Sequence, residues 1–238
     1  MNLKNFVHRK FLRLLNSKRI LKFNLFYHKL SSESNLGNIG FDFSNKPNRK
    51  FVVQDIIDRN NFKSYLEIGC FDDELFNHIV CEKKVGIDPL TGGTIRKSSD
   101  DFFKDNKEKF DCVFIDGLHV YSQVKKDIFN SLKFLNNNGV ILLHDCLPNN
   151  YFAQATPRCQ YNWNGDVWRA VIECRSKDNL DTYTCYADNG IGVILNRKNK
   201  NSINLDIKDF SKIKFKDYFL NYKKYMNLIE YDELIKII

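Results

Sequence analysis

The amino-acid sequence predicts an α/β fold, a Rossmann-like doubly wound and mostly parallel sheet with a closing antiparallel β-hairpin. Short apolar runs at 64–70, 84–88, 111–116 and 140–144 alternate with segments of helical spacing, which is the order of βαβ units. Further along, alternating runs at 182–187 and 191–196 flank Asp188-Asn189-Gly190, a sequence typical of a tight hairpin turn. A chain of 238 residues that is 43% hydrophobic can bury a core of this size.

Four consecutive parts are expected along the chain. Residues 1–30 predict a basic amphipathic helix, and residues 31–48, rich in Ser, Asn and Gly, predict a linker. The sheet domain is expected at 49–196 and a C-terminal helical extension at 197–238. Inside the sheet domain, helices are predicted at 49–60, 73–81, 99–107 and 121–135, with a short strand at 94–97. A last helix is predicted to start at Asp166 as its cap and to end at residue 175.

The charge of the chain is concentrated at its beginning. Residues 1–30 contain eight Lys or Arg and no acid, and the other 29 basic residues are balanced by 29 acidic ones. A net charge of +8 with this distribution predicts no nucleic-acid partner. It suits instead a helix on an anionic membrane surface or an acidic protein, and the alternative is a helix packed on its own domain.

Cysteines and apolar runs predict the cellular compartment. The seven cysteines are an odd number without a C-x-x-C pair, which favours reduced thiols over disulfides or a zinc site. No membrane-spanning or secretory segment is expected, because basic residues interrupt the apolar residues near the N-terminus. We therefore expect a cytoplasmic protein, with membrane association through residues 1–30 and homo-oligomer formation left open.

Chemically active side chains follow the predicted strands at their carboxyl ends, where open parallel sheets bind ligands. A dinucleotide site needs the glycines of G-x-G-x-x-G, whereas this chain has Gly69, Phe71 and Glu74 at those places. Phosphate binding is therefore disfavoured. A cationic adenosyl cofactor, S-adenosylmethionine, fits better beside Glu67 and Asp72, whose negative charge favours its ammonium and sulfonium groups.

Asp88 ends the second strand, about 20 residues after Gly69, at the spacing of an acid that binds ribose hydroxyls. Taken alone, an aspartate before Pro89 equally suits a turn. Its register with Glu67 and Gly69 favours the ribose contact.

Five segments carry a resemblance to a known family: Y-L-E-I-G-C at 65–70, V-G-I-D-P at 85–89, G-G-T-I-R-K-S-S-D-D-F-F at 92–103, F-D-C-V-F-I-D-G-L-H-V-Y at 110–121 and G-V-I-L-L-H-D-C at 139–146. Together they resemble class I S-adenosylmethionine-dependent methyltransferases. More narrowly, they are similar to the bacterial branch near macrocin-type sugar O-methyltransferases and cephalosporin hydroxylase-like proteins, often linked to surface-glycan synthesis.

The resemblance covers about residues 49–196 and departs from the family's E-x-G-x-G-x-G motif at Phe71 and Asp73. It implies that Glu67, Gly69 and Asp72 surround the methionine part of the cofactor. It also implies that the ribose lies on Asp88 and the adenine near Ser99 or Asp100, and that Asp116 is among the cofactor-binding residues.

Some relatives bind Mg²⁺ through an acid after the fourth strand and two residues after the fifth. By resemblance these are Asp116, His144 and Asp145 here, and a histidine among them also accommodates Mn²⁺, Fe²⁺ or Zn²⁺. Without a metal, His119 or His144 beside Asp116 is expected to act as the general base. The structural alternative is that both histidines are satisfied core groups.

The expected activity is O-methyl transfer to a hydroxyl, on a sugar in surface-glycan biosynthesis. The aromatic residues of the loop 147–164 suit a sugar ring, and packing against the C-terminal tail is the alternative. Two other functions compete with this expectation. One is a metal-dependent oxygenase using His119, His144 and Asp145, and the other is a non-catalytic partner of a glycan-synthesis complex.

Overall fold

The computed structural model describes residues 17–238, whose strands form one mixed sheet. The strands are β1 Ser64–Ile68, β2 Lys83–Ile87, β3 Phe110–Ile115, β4 Leu135–Leu143, β5 Asp181–Cys185, β6 Ile191–Leu195 and β7 Leu228–Ile229. Their order across the sheet is β2-β1-β3-β4-β6-β5-β7. Strands β2, β1, β3 and β4 are parallel, and β6 runs antiparallel to both β4 and β5. The predicted fold class, a mostly parallel sheet closed by an antiparallel hairpin, is confirmed.

Helices cover both faces of the sheet. They are α1 Lys18–Lys29, α2 Arg49–Arg59, α3 Glu74–His78, α4 Ser99–Asp105, α5 Tyr121–Lys133, α6 Tyr151–Gln154, α7 Val167–Arg175, α8 Phe215–Met226 and α9 Tyr231–Leu234. Alternate strand residues point to opposite faces, so each central strand supplies two cores. Val113 and Ile141 pack with α4, α5, α7 and α8, whereas Phe114 and Leu142 pack with α2, α3 and α9. Burial on both faces explains why these strands are continuous apolar runs.

Two local predictions were wrong. Residues 94–97 do not form a strand, because they contribute only an isolated parallel bridge between Ile95 and Ile87. Asp166 precedes α7 as predicted, but its side chain does not cap that helix. Its Oδ1 accepts a hydrogen bond from the backbone N–H of Tyr121 at 2.6 Å, and its Oδ2 lies 2.5 Å from Arg169. Asp166 therefore ties the first turn of α5 to the first turn of α7.

The segment 31–48, predicted to be a linker, is held against the sheet domain. The N–H of Ile39 donates to the carbonyl of Asn149 at 2.8 Å, and the N–H of Asp42 donates to the Tyr186 hydroxyl at 2.8 Å. The side chains of Phe41 and Phe43 pack on the ring of Tyr186. These contacts place the segment beside β5.

The C-terminal residues include two helices and also extend the sheet. Helix α8 packs on α7, where the rings of Trp168 and Tyr218 lie 4.9 Å apart. Strand β7 adds to the edge of β5 in parallel register. All seven cysteines are free, as predicted from their spacing.

A basic amphipathic helix was predicted for residues 1–30, and the structure describes only the second half of this segment. Helix α1 spans Lys18–Lys29, and residues 1–16 lie outside the described part of the chain. Among residues 17–238, no helix combines the length and the apolar character that crossing a membrane requires.

Candidate active site

A cavity of about 680 Å³ opens beyond the carboxyl ends of β1, β2 and β3. It is lined by eight of the residues singled out from the sequence, namely Glu67, Gly69, Asp72, Asp88, Ser99, Asp100, Asp116 and His119. Seven carboxyl side chains and two guanidinium groups line it, so the cavity suits a cationic ligand better than a phosphate. His144 and Asp145 are not part of its lining and lie behind Asp116 and His119.

The loop after β1 keeps a glycine-type backbone, although two of the three glycines of the family motif are replaced. Gly69, Phe71 and Asp73, which stand at the three glycine places of the family motif, all have positive φ angles, of 92°, 49° and 64°. A Cβ at residue 69 would lie 2.4 Å from the carbonyl oxygen of Asp116, so only glycine fits there. Asp73 Oδ1 accepts a hydrogen bond from the N–H of Gly93 at 2.6 Å and anchors the loop. The departure seen in the sequence therefore changes side chains and leaves the turn in place.

Glu67 is held inside the sheet by a hydrogen bond from a neighbouring tyrosine. Its carboxyl group is 2% exposed and accepts a hydrogen bond from the Tyr65 hydroxyl at 2.6 Å. Burial raises the pKa of Glu67 to about 7, although the Tyr65 hydrogen bond opposes the rise. A cation in the cavity would favour its ionised form.

Asp88 organises the turn after β2 and also lines the cavity. Its Oδ1 accepts hydrogen bonds from the N–H groups of Leu90 and Thr91, and its Oδ2 accepts one from Phe71. The turn role, which the sequence left as the alternative, is therefore present. Oδ1 is then fully used, but Oδ2 has further acceptor capacity, so the turn does not prevent a contact with a ribose hydroxyl.

A polar cluster closes the far end of the cavity at the start of α4 and α5. Gln123 Nε2 lies 3.2 Å from Ser99 Oγ, 3.2 Å from Asp100 Oδ1 and 3.0 Å from Asp127 Oδ1. Burial raises the pKa of Asp127 to about 6. The sequence predicted Ser99 and Asp100 but missed Gln123 and Asp127. The available signal was their position one turn apart on the helix that follows β3.

Two histidines and two aspartates meet where β3 and β4 end. Asp116 Oδ1 lies 3.1 Å from His119 Nε2 and 3.3 Å from His144 Nδ1. His119 Nδ1 lies 3.2 Å from Asp145 Oδ2 and 3.2 Å from the carbonyl oxygen of Trp163. Adjacent parallel strands explain the meeting, because their carboxyl ends lie side by side.

This cluster carries alternating charge. Both ring nitrogens of His119 face acceptors, an arrangement that favours the doubly protonated imidazolium. Burial lowers the pKa of His119, but the hydrogen bond to Asp116 and the charge of Asp145 outweigh it and raise that pKa. Burial would raise the pKa of Asp116, but the two histidines hold it well below its usual range. His119 in this state donates protons and has no free nitrogen for a general base or for an iron ligand.

Asp188 is a member of this cluster that the sequence assigned only to a turn. Its Oδ1 lies 3.4 Å from His144 Nε2, a buried atom that makes no hydrogen bond among the described residues, and its Oδ2 accepts a hydrogen bond from the N–H of Arg49 at 2.6 Å. Burial opposes ionisation, but His144 and Arg49 lower the pKa of Asp188. The pairing of β6 with β4 brings this hairpin turn to His144, which strand prediction alone does not show.

The loop after β4 lies directly against the cluster. The ring of Trp163 stacks on His119 with centroids 5.5 Å apart, and Asn164 Nδ2 donates to Asp145 Oδ1 at 3.0 Å. A Cβ at Gly165 would clash with the His119 carbonyl oxygen, so glycine allows the loop backbone to pack directly against the backbone of His119. Trp163 and Arg158 also line the cavity. The loop thus forms the wall on the acceptor side.

Three of these side chains lie close enough together to hold a metal ion. One ligand atom each from Asp116, His144 and Asp145 can be chosen so that all lie within 4.8 Å of one another. Two carboxylates and an imidazole fit Mn²⁺, Fe²⁺ or Zn²⁺, and Mg²⁺ less well.

With the site described, comparison with known proteins gives a match over part of the chain. Residues 52–146 match a methyltransferase domain. The match extends from α2 to just beyond β4, so it includes every strand end that lines the cavity. It confirms the prediction of a methyltransferase domain for these residues. The comparison with curated proteins gave no match.

Several solved structures are similar to this chain. The O-methyltransferase TomG from Streptomyces achromogenes, in complex with SAM, is 14% identical over 62% of this chain and 78% of that chain, with a TM-score of 0.47. An O-methyltransferase from Bacillus cereus in complex with SAH is 13% identical over 74% and 90%, also at 0.47. The SAH-bound methyltransferase PaMTH1 from Podospora anserina is 14% identical over 64% and 78%, again at 0.47.

Proposed function

We propose that the chain is an S-adenosylmethionine-dependent O-methyltransferase. Its acceptor would be a hydroxyl on a sugar of a surface glycan, or on the nucleotide- or lipid-linked precursor of that glycan. One observation carries the proposal: a single cavity joins an acid-rich pocket at β1 and β2 to a carboxylate–imidazole cluster at β3 and β4. The first part suits a cationic donor and the second can prepare an acceptor oxygen.

The donor would lie along the predicted strand ends. Glu67 and Asp72 would face the ammonium of its methionine part, and Asp88 would accept from the ribose hydroxyls. The adenine would occupy the end formed by Ser99, Asp100, Gln123 and Asp127, whose amide and carboxyl groups match the donors and acceptors of a base. Gly69 lets the backbone of Asp116 and Gly117 approach β1 closely at this wall of the cavity.

Asp116, His144 and Asp145 would hold a divalent cation of the Mn²⁺ type. When bound, the cation would lower the pKa of an acceptor hydroxyl. The protein's own residues would set its place. His119 hydrogen-bonds Asp116 and faces Asp145, and Asp188 faces the other ring nitrogen of His144.

The transfer is an in-line displacement at the methyl carbon. A lone pair of the acceptor oxygen forms the new C–O bond, and the electrons of the broken C–S bond stay on sulfur, which becomes neutral. The hydroxyl proton passes to a carboxylate of the cluster. Little covalent chemistry falls to the protein, so positioning of the two substrates accounts for most of the catalysis.

The acceptor side supports a ring-shaped, partly apolar substrate. Trp163 stacks on His119 and lines the cavity, and Tyr161 on the same loop is exposed. Aromatic faces with polar neighbours bind sugar rings in this way. The oxygenase alternative has no such support, since neither nitrogen of His119 is available to iron.

A methyl-transfer assay tests the proposal. The full chain with Mn²⁺ and S-adenosylmethionine carrying a labelled methyl group should label a sugar, a nucleotide sugar or a lipid-linked sugar, and alkali-stable label identifies an ether. Asp116→Asn should abolish the labelling, and Asp105→Asn, an exposed aspartate on α4, is the matched control. Oxygen consumption with Fe²⁺ and no methyl transfer to any acceptor class would overturn it.

A further inference from the structure

Helix α1 has two different faces. Its inward face holds Leu21, Asn24 and His28, which are buried. Asn24 Nδ2 donates to the carbonyl oxygen of Arg158 at 2.7 Å, and His28 Nε2 lies 2.8 Å from that of Pro157. The helix therefore lies flat on the acceptor-side loop, and Arg158 of that loop lines the cavity itself.

The outward face is apolar and basic. Four large apolar side chains, which are 60% to 73% exposed, lie on it: Phe23, Phe26, Tyr27 and Leu30. They are four of the ten large hydrophobic side chains that the described residues expose. Isolated exposed apolar residues are ordinary, but four in two turns of one helix form a patch.

Basic residues flank this patch. At 100° per residue, Lys18, Lys22 and Lys29 fall together along one side of the apolar stripe, and Arg19 falls within it. The sequence before α1 adds four more basic residues, and residues 1–30 contain no acid. A helix that lies parallel to its support, with an apolar stripe beside a basic border, has the features of an interfacial membrane helix.

We propose that the outward face of α1 binds an anionic membrane surface, with Phe23, Phe26, Tyr27 and Leu30 entering the interface and the lysines on the lipid headgroups. Because the inward face rests on the loop that carries Arg158 and Trp163, this contact sets the acceptor wall of the cavity next to the lipid. The inference rests on the proposed function in one respect, since a lipid-linked acceptor would then be delivered to that wall.

Vesicle flotation of the full chain tests the membrane contact. The protein should float with phosphatidylcholine vesicles that contain phosphatidylglycerol, remain unbound to pure phosphatidylcholine, and release as the salt concentration rises. The triple variant Phe23→Ser, Phe26→Ser and Leu30→Ser keeps the docked face and should bind at least about tenfold more weakly. The matched control is Val80→Ser with Leu220→Ser, which removes exposed apolar side chains elsewhere and should float like the wild type.

Three outcomes would overturn the inference: no flotation with anionic vesicles, equal flotation of the triple variant, or a wild-type dimer that the triple variant converts to a monomer in light scattering. The last would assign the face to a second copy of the chain. Unchanged unfolding midpoints show that the variants fold. Titration of each protein with S-adenosylhomocysteine separates this test from the proposed function, because donor binding does not involve α1.

Discussion

The two ends of the cavity hold their charges in different ways. At the donor end, Asp88 and Asp73 accept hydrogen bonds from backbone N–H groups, so their carboxylates are fixed by the chain itself. At the acceptor end, Asp116 and Asp145 face side chains, the imidazoles of His119 and His144. Because the same carboxylates hold the backbone, we expect donor binding to be coupled to the stability of the fold. The acceptor end should change its ligands and protons with little effect on folding.

The largest expected effect comes from breaking the donor end at Asp88. Asp88→Ala leaves three backbone N–H groups without their acceptor, and should lower the free energy of unfolding by about 3 kcal/mol. The same variant should lose S-adenosylhomocysteine affinity by about 100-fold, roughly the value of one hydrogen bond to a charged group. Urea unfolding and calorimetric titration measure the two effects. Asp105→Ala, which removes an exposed carboxylate, is the control, and a change of affinity in Asp88→Ala without any change of stability would contradict the coupling.

At the acceptor end the two properties should separate. Asp145→Asn should weaken Mn²⁺ binding by about 100-fold, because a carboxylate ligand becomes an amide. Its affinity for S-adenosylhomocysteine should stay at the wild-type value, since Asp145 does not line the cavity. Calorimetric titrations with the metal alone and with S-adenosylhomocysteine alone measure both. A loss of donor affinity as large as the loss of metal affinity would show that the two ends are not independent.

Glu67 predicts a pH dependence at the donor end. Its pKa of about 7 means that it becomes ionised as the pH rises from 6 to 8, so affinity for a donor with a cationic ammonium should rise by up to about tenfold. Stability should move the other way. The folded pKa is raised above the unfolded value, so stability from this group is complete below pH 4.5 and is lost as the pH rises through about 7.

The variant Glu67→Gln isolates that group. It keeps an oxygen that accepts from Tyr65 and cannot ionise, so its donor affinity should be flat between pH 6 and 8. As the pH rises, the free energy of unfolding of the variant should increase relative to that of the wild type. Titrations and urea unfolding at the two pH values give both curves, and an affinity of the wild type that is independent of pH would refute the role of Glu67.

The smallest effect concerns the turn itself. Phe71 has a positive φ angle that costs an L-residue about 1 kcal/mol, and its side chain is 71% exposed. Phe71→Gly should therefore be more stable than Phe71→Ala by about that amount, because both lose the ring and only glycine loses the strain. Equal stabilities in urea unfolding would mean that the turn does not require the left-handed backbone.

The sequence predicted the fold well because each central strand is an apolar run whose helices are amphipathic, and both signals are local. It predicted Asp116, His119, His144 and Asp145 as neighbours because they follow adjacent parallel strands. It missed Asp188 because that residue reaches His144 through the antiparallel pairing of β6 with β4, which only the assembled sheet defines. The expected strand at 94–97 did not form, because the N–H groups of Thr94 and Ile95 both donate to the carbonyl of Gly86 and only one bridge, Ile95 with Ile87, is made.

The protonation of His119 could not be predicted from the sequence for a related reason. Its charged state depends on the carbonyl oxygen of Trp163, which is 44 residues away along the chain. A histidine next to an aspartate motif was equally compatible with a neutral base. The geometry makes it a proton donor that holds two carboxylates in place.

Calorimetric titration of the wild-type chain with S-adenosylhomocysteine, in EDTA and again in Mn²⁺, tests the central claim most directly. The donor end is preformed by backbone hydrogen bonds, so we expect S-adenosylhomocysteine to bind in EDTA with one site per chain. We also expect Mn²⁺ to leave that affinity nearly unchanged. Absence of binding in both conditions would contradict the assignment as a methyltransferase, and binding that requires Mn²⁺ would contradict the independence of the two ends.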